Sequence, residues 1–211
     1  MPLFKTIPIA GGLIGLWKFA ETTVELIPEF SEEELTDSAF RKYTHEKRKI
    51  EWLATRTLIR HLIGPDFTIS YFDSGKPILK HNRFRHISIS HSRNFAAVII
   101  HEHLNVGIDI EETTRDFNRI EKRYLSDLEL AQTNKNSQLQ CLYWCAKEAI
   151  FKLVDDEGIE FKQQIHIIPE PENQFSAKFI SKDKESNYKL HYQFFSDHCL
   201  VWVADGSLIQ E

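Results

Sequence analysis

The segment from Trp144 to Lys152 carries an acid and a base on a stretch that is otherwise predicted to be a half-buried helix. At 3.6 residues per turn, Trp144, Glu148 and Lys152 lie one above another, so an aromatic ring, a carboxylate and an ammonium share one helix face. An ordinary i,i+4 Glu–Lys pair, which stabilises a helix by about half a kcal/mol, explains the segment equally well. The segment alone therefore leaves a structural and a chemical interpretation open.

A second acidic segment, from Val106 to Glu111, alternates between apolar and other residues, which is the period of a half-buried strand. Gly107, Asp109 and Glu111 then project from one surface, where the glycine is expected to leave room for a ligand. Carboxylate oxygens suit Mg²⁺, which proteins hold with one or two carboxylates, waters and substrate phosphates. The alternative is that Asp109 and Glu111 only solvate the outer face of a strand, although Asp is poorly suited to strand interiors.

Two further segments could lie near phosphate groups. Ser90, His91 and Ser92 lie between two apolar runs, which predicts a hairpin turn whose side chains donate to phosphate oxygens. Serine hydroxyls also cap turns that bind nothing, so that alternative stays open. The run from Ser74 to Pro77 predicts an ordinary turn, because Gly and Pro are the usual punctuation of loops.

Taken in order, these four segments resemble the motif set of the 4′-phosphopantetheinyl transferases of the surfactin-synthetase-activating (Sfp) type. The matching residues are Gly75-Lys76-Pro77, Ile89-Ser90-His91-Ser92, Gly107-Ile108-Asp109-Ile110-Glu111 and, in the helix, Trp144, Lys147, Glu148, Ala149 and Lys152. Four motifs in sequence are far more specific than any one of them. One departure is Ser88, where the family usually has Asn; we expect it to alter a local hydrogen bond and to keep the phosphate contacts.

The resemblance implies transfer of the 4′-phosphopantetheine group of coenzyme A to a serine of an apo acyl or peptidyl carrier protein, with release of 3′,5′-ADP. The implied metal ion is Mg²⁺, with Mn²⁺ as the alternative, and its implied ligands are Asp109, Glu111 and Glu148. The implied catalytic residues are Asp109, Glu148 and Lys152. Glu148 is expected to accept the serine proton, directly or through water, to bind the metal ion, or to do both.

The same resemblance assigns the coenzyme A contacts. Lys76, Ser90, His91 and Lys152 are expected to bind its phosphates, and Lys152 also to neutralise developing charge. Basic residues crowd the region from 41 to 60, and the family uses basic residues there for the 3′-phosphate, so Arg48 and Arg56 are the candidates. A solvated helix face is the alternative explanation of such a run, and the run could also receive an acidic carrier protein.

The predicted fold class is α+β, because strands and helices do not alternate as βαβ units. Alternating runs predict strands at residues 13–19, 68–72, 85–90, 95–101, 106–111, 175–180, 188–195 and 199–204, and capping boxes at Ser31 and Ser126 predict helix starts. One or two helices are expected between the first box and residue 63, and a long one over 138–154.

The resemblance implies two pseudo-symmetric lobes, each an antiparallel sheet packed with helices, with the active site in the cleft between them. The predicted N-terminal lobe, residues 1–103, would supply contacts to coenzyme A phosphates and to the carrier. The predicted C-terminal lobe, residues 104–211, would hold the metal site and the catalytic helix.

Composition sets limits on the class of protein. The chain has 211 residues, 42% of them hydrophobic, and a net charge of −5, which describes a soluble globular protein and argues against disorder. Its three cysteines, Cys141, Cys145 and Cys199, show neither a disulfide framework nor zinc spacing, so we expect buried thiols in a reducing cytoplasm. The apolar stretch 7–17 is interrupted by Pro and Gly, and no run reaches the roughly 20 residues of a membrane span. A cytoplasmic monomer with no membrane contact is expected.

Two other classes of function remain open at this level. A metal-dependent phosphodiesterase or nuclease would also use acidic clusters and phosphate-binding lysines. Net acidity and the confinement of basic residues to one stretch count against nucleic acid as the partner. A non-catalytic protein that binds carrier domains is the third possibility, and the joint presence of Asp109, Glu111, Glu148 and Lys152 counts against it.

Overall fold

The structure is a computed structural model that describes residues 3–154, 156, 158–181 and 184–205. The strands are β1 (Leu3–Ile9), β2 (Gly12–Lys18), β3 (Thr68–Tyr71), β4 (Pro77–Lys80), β5 (His86–His91), β6 (Phe95–His101), β7 (Val106–Glu112), β8 (Ile165–Glu170), β9 (Gln174–Ile180), β10 (Glu185–Phe195) and β11 (His198–Ala204). The α-helices are α1 (Thr23–Leu26), α2 (Glu32–Leu35), α3 (Ser38–Lys42), α4 (Glu46–Ile63), α5 (Glu121–Tyr124), α6 (Asp127–Thr133), α7 (Ser137–Val154) and α8 (Phe161–Gln164).

The first half of the chain forms an antiparallel sheet with the strand order β1-β2-β6-β5. Helix α4 packs across β2 and β6. A Cβ atom at Gly15 would lie 2.7 Å from Leu58 Cδ1, so the missing side chain allows α4 to approach the sheet closely. The apolar faces of helix and sheet bury a core that includes Trp17, Trp52, Leu53, Leu58, Val98 and Ile100.

The second half forms an antiparallel sheet with the strand order β7-β11-β10-β9-β8, and α7 packs on β7 and β11. A Cβ atom at Gly107 would overlap the backbone carbonyl oxygen of Ala149. The interpretation of Gly107 as leaving room for a ligand is therefore wrong, because α7 fills that space. The glycine is required for helix–strand contact.

The two halves repeat one arrangement. In each half, two antiparallel strands pair beneath a helix. These strands are β2 and β6 in the first half, and β7 and β11 in the second. An 18-residue helix, α4 or α7, covers each pair. The predicted α+β class with antiparallel sheets packed with helices is confirmed. The division into domains at residues 103 and 104 stays a prediction, although it coincides with the turn between β6 and β7.

The halves meet where β5 lies beside β7. The hydroxyl oxygens of Ser88 and Ser90 accept hydrogen bonds from the backbone N–H groups of Ile108 (3.2 Å) and Ile110 (3.3 Å). Strand β5 is thus joined to β7 through side chains, while β7 pairs with β11 on its other edge. Buried N–H groups need acceptors, so both serines stabilise this join. Ser88, which departs from the family pattern, takes part in this join, and the expectation that it alters a local hydrogen bond stays a prediction.

Most predicted elements lie within two residues of their observed positions, but three strands were not anticipated. β1 contains Pro8, β4 begins at Pro77 and β8 contains Pro169, and proline made each segment a poor strand candidate. Strand β5 also extends through His91, so the hairpin turn begins one residue after the predicted phosphate contacts Ser90 and His91. Both capping boxes form, at Ser31 and Ser126.

Candidate active site

A cavity of about 470 Å³ opens between the two halves of the chain. Four elements wall it: α4 and β5 from the first half, β7 and α7 from the second. The predicted residues that line it are Arg48, Ser90, His91, Asp109, Glu111, Glu148 and Lys152, together with Lys47, Glu51, Ile89, Ile110, Arg115 and Trp144. The fold therefore brings together segments that are about one hundred residues apart in sequence.

Asp109 is a buried acid of the cavity, with 6% of its surface exposed. Its Oδ1 accepts hydrogen bonds from Ser90 Oγ (2.6 Å) and from Lys152 Nζ (2.8 Å). Lys152 Nζ also donates to the carbonyl oxygen of Ile108 at 3.0 Å. The alternative in which Asp109 only solvates an outer strand face is therefore wrong. A serine of one half, an acid of the other and a lysine of α7 form one chain of hydrogen bonds.

Glu148 lies one helical turn before Lys152 on the face of α7 that looks into the cavity. Burial, and then the neighbouring Asp109 carboxylate, raise the pKa of Glu148 to about 7, against the opposing effect of Lys152 and Arg115. At neutral pH about half of such groups carry a proton. Burial and the nearby Asp109 carboxylate therefore both disfavour a negative charge on Glu148.

Glu111 forms an ion pair with Arg115, a residue that the sequence did not predict to lie in the site. Its Oε2 forms a close ion pair with Arg115 Nη1, and its Oε1 accepts the N–H of Glu112 at 3.0 Å. The Arg115 guanidinium also lies 5.1 Å from the Trp144 ring centroid, within the range of a cation–π contact. No sequence signal marks Arg115, because it follows β7 in an irregular turn.

The donor set Asp109, Glu111 and Glu148 consists of carboxylate oxygens, which fits a hard cation such as Mg²⁺. The repulsion between the Glu148 and Asp109 carboxylates fits it too, since a nearby cation would offset that repulsion. Among the described residues, these three carboxylates do not form a group of ligand atoms within 4.8 Å of one another, and Asp109 pairs with Lys152 and Glu111 with Arg115. Joint coordination would require Glu111 to leave Arg115.

His91 is a neutral imidazole in this structure. Burial, followed by the positive charges of Lys152, Arg48 and Lys47, lowers the pKa of His91 to about 3. His91 Nε2 lies 2.8 Å from Thr55 Oγ1, whose own proton is donated to the carbonyl oxygen of Glu51 at 2.7 Å. Thr55 is therefore the acceptor and Nε2 carries the proton, which leaves Nδ1 as an unprotonated acceptor. His91 would donate to a phosphate only after taking up a proton.

The basic residues of the first half separate into two environments. Arg48 is largely exposed at the cavity rim and pairs with buried Glu51 at 2.9 Å. Arg56, 7% exposed, stacks on Trp52 with its guanidinium carbon 3.5 Å from the ring centroid, and is not among the residues that line the cavity. Burial lowers the pKa of Arg56. The structure thus brings Arg48 to the site, and buries Arg56 in the core of the first half.

Two neighbouring cavities share walls with the central one. A cavity of about 420 Å³, lined by Lys76 and Pro77, shares Ile89 and Lys152 with it. A cavity of about 660 Å³ lies on the other side and shares Arg115, Trp144 and Glu148. Lys76 is therefore placed in the cleft, but on the far side of Lys152 from Glu148. The three cavities form one elongated cleft with the acids at its centre.

Lys147, beside Glu148 on α7, points away from the cleft into the protein and is fully buried. Its Nζ donates to Glu129 Oε2 (2.8 Å) and to the carbonyl oxygens of Tyr124 (2.7 Å) and Phe161 (3.1 Å). Tyr124 and Phe161 line the larger cavity. One buried ammonium thus fixes two walls of the cleft relative to the helix that carries Glu148. Burial lowers the pKa of Lys147, and the Glu129 carboxylate opposes that shift.

Comparison with known proteins identifies the family. A family model described as the 4′-phosphopantetheinyl transferase superfamily matches residues 105–203. The chain is 30% identical over 165 residues to the 4′-phosphopantetheinyl transferase HetI of Nostoc sp. (strain PCC 7120), covering 70% of this chain and 68% of that protein. It is 30% identical over 115 residues to the 4′-phosphopantetheinyl transferase AcpT of Escherichia coli (strain K12), covering 50% of this chain and 57% of that protein.

The fold consists of two helix-packed antiparallel sheets with a cleft of acidic and basic residues between them. The relatives that the chain matches are transferases. The chain belongs to the 4′-phosphopantetheinyl transferase superfamily. Among the described residues, no helix is both long and apolar enough to cross a membrane.

Proposed function

We propose that the chain is a transferase of the Sfp type that moves the 4′-phosphopantetheine group of coenzyme A to a serine of an apo acyl or peptidyl carrier protein. The observation that carries this proposal is the cleft in which Ser90, Asp109 and Lys152 are hydrogen-bonded together beside Glu148. Family membership supports the same reaction. We further propose a cytoplasmic monomer that acts without nucleic acid or membrane, in keeping with three free cysteine thiols.

The reaction exchanges a phosphoanhydride bond for a phosphoester bond. The carrier serine oxygen forms a bond to the phosphorus nearer the pantetheine, the bond from that phosphorus to the bridging pyrophosphate oxygen breaks, and 3′,5′-ADP leaves with the electron pair. The serine proton must go to a base. Both the substrate pyrophosphate and the leaving group are anionic, so neutralising charge is the main task of the protein.

Asp109, Glu111 and Glu148 are the residues that would hold a divalent cation, with Mg²⁺ proposed and Mn²⁺ as an alternative. Such an ion supplies charge neutralisation and orientation to pyrophosphate oxygens. Glu148, which is partly protonated at neutral pH, would hold such an ion in its ionised form. The ion would also compete with Arg115 for Glu111.

Four side chains are proposed to hold coenzyme A phosphates. Lys152 sits at the junction of two cavities, so its ammonium can pass from Asp109 to an incoming phosphate oxygen. Lys76, in the adjoining cavity, and Arg48, at the rim of the central one, would bind the outer phosphates. His91 contributes when phosphate raises its proton affinity, since its Nδ1 is unprotonated without ligand.

Ser90 and Arg56 are proposed to contribute less to phosphate binding than the sequence predicts. The Ser90 hydroxyl donates to Asp109 and accepts from Ile110, so it binds phosphate only by leaving Asp109. Arg56 is stacked on Trp52 away from the cavity, and we propose Arg48 as the principal 3′-phosphate contact. Glu148 remains the proposed proton acceptor, directly or through a water, because it faces the cavity beside Asp109 and Lys152.

The test is the intact mass of an apo carrier protein after incubation with this protein, coenzyme A and Mg²⁺. A gain of one phosphopantetheine is expected, and the gain should be lost with EDTA and in Glu148→Gln. Glu160→Gln, in the same cleft but outside the central acid cluster, is the matched control and should keep the gain. No gain with any of several carriers, from protein that is folded and binds coenzyme A, would refute the transferase proposal.

A further inference from the structure

All three cysteines of the chain meet in the interior, beneath the cleft. Cys141 and Cys145 lie one turn apart on α7, and Cys199 comes from the facing strand β11. Their sulfur atoms all lie within 4.8 Å of one another, and each residue is 0% exposed. Sequence spacing gave no sign of this cluster, because Cys199 reaches the other two only through the packing of α7 on the sheet.

A purely structural role for the cluster leaves one feature unexplained. Buried cysteines serve well as small apolar residues, and Cys141 and Cys145 donate weakly to the carbonyl oxygens of Glu111 and Cys199, both at 3.7 Å. That role does not require the sulfurs to gather at one point. Among the described residues, this is the only group of three potential ligands whose donor atoms come so close together.

We propose that Cys141, Cys145 and Cys199 form a buried three-thiolate site for a soft metal ion of the Zn²⁺, Cd²⁺ or Cu⁺ class. Thiolate ligands select these ions over Mg²⁺. Sulfur–zinc bonds of about 2.3 Å place tetrahedral sulfurs about 3.8 Å apart, so each sulfur needs to move by no more than roughly half an ångström from separations within 4.8 Å. The thiols lose their protons to solvent as the metal–sulfur bonds form.

The site would communicate with the acidic cleft directly above it. Cys141 donates to the backbone carbonyl of Glu111, and α7 carries Glu148 two turns further along. Metal binding removes that hydrogen bond and draws α7 towards β11. We therefore infer that a soft ion inhibits the transfer reaction from below the cleft; this part rests on the proposed function, whereas binding itself does not.

Binding is tested on the reduced protein under anaerobic conditions by titration with Cd²⁺ alone, against a competing chelator. We expect the first ion bound per chain to produce an ultraviolet sulfur-to-cadmium charge-transfer band and to release protons. Cys199→Ala and Cys141→Ala should each weaken Cd²⁺ binding about 100-fold or more. Each removes a metal ligand, which costs more than replacing a residue that only orients a ligand. Glu148→Gln is the control and should keep the band, because carboxylates produce no such band.

Near-ultraviolet circular dichroism establishes that each cysteine variant is folded; if one is not, the other carries the test. The absence of a charge-transfer band in the wild-type protein would overturn the proposal, as would a band unchanged in both folded variants. A carrier-mass assay of wild type and Cys199→Ala, with and without Cd²⁺, then tests inhibition, which should be lost in the variant. Binding without inhibition would refute only the coupling, and a missing transferase activity leaves the spectroscopic result valid.

Discussion

Replacing Lys147 by Met tests whether one buried ammonium holds the cleft together. Met has a similar length and no charge, so the change removes three hydrogen bonds and leaves the packing volume nearly unchanged. Glu129 would then be buried, 2% exposed, without its counter-ion. The carbonyl oxygens of Tyr124 and Phe161 would lose the same donor.

The expected loss of stability follows from those contacts. Breaking a buried ion pair by removing one partner costs about 3–5 kcal/mol. Glu129 keeps two backbone donors, Ser126 at 2.7 Å and Ile167 at 2.9 Å, so we expect the lower end, about 3 kcal/mol. For a chain of this size that corresponds to a fall in Tm of roughly 6–12 °C.

Urea denaturation followed by tryptophan fluorescence measures the free energy of unfolding of wild type, Lys147→Met and Lys162→Met. Lys162 pairs with Asp127 at 3.2 Å on the same side of the protein but is exposed, so its replacement should cost less than about 1 kcal/mol. The double change Lys147→Met with Glu129→Gln should recover part of the loss, since it removes the unpaired charge. A loss below 1 kcal/mol for Lys147→Met would refute the reasoning.

Three further outcomes are expected. Because the pKa of Glu148 is raised from 4.5 to about 7 in the fold, its contribution to stability is present below pH 4.5 and lost as pH rises through 7; without Mg²⁺, Glu148→Gln should therefore be more stable than wild type at pH 8, by up to about 3 kcal/mol, and an equal or lower Tm would contradict this. Arg48→Ala should raise KM for coenzyme A about tenfold or more and spare 3′-dephospho-coenzyme A, with Lys49→Ala as the control; equal losses on both substrates would argue against a 3′-phosphate contact. Gly107→Ala should cost more than about 3 kcal/mol in urea unfolding, because its methyl group meets the backbone of α7, and a loss under 1 kcal/mol would show that α7 can shift.

Periodicity located most of the elements because helices and strands with one buried face repeat their apolar residues regularly. The long helix α7 and the strand β7 were predicted almost to their ends for this reason. The proline-containing strands β1, β4 and β8 were missed, since each uses proline where no ladder hydrogen bond is required, near a strand end or edge.

The site residues that belong to sequence motifs were predictable. Asp109, Glu111, Glu148 and Lys152 were all expected together, and they line one cavity. Arg115 and Thr55 could not be found, because their proximity to Glu111 and His91 is set by loop geometry and helix packing. The burial of Arg56 against Trp52 was hidden as well, since sequence does not show which basic residues of a helix face inward.

The serine hydroxyls that join β5 to β7 give the cleft a property that a continuous sheet would lack. Backbone ladders fix neighbouring strands at one spacing whatever their side chains are, whereas here the spacing depends on Ser88, Ser90 and the apolar core shared by the two halves. A substitution at Ser88 therefore changes a contact between the halves without removing a backbone hydrogen bond from either sheet. The separation of the two walls of the cleft is thus a property of side chains, and each sheet can keep its own pairing while that separation changes.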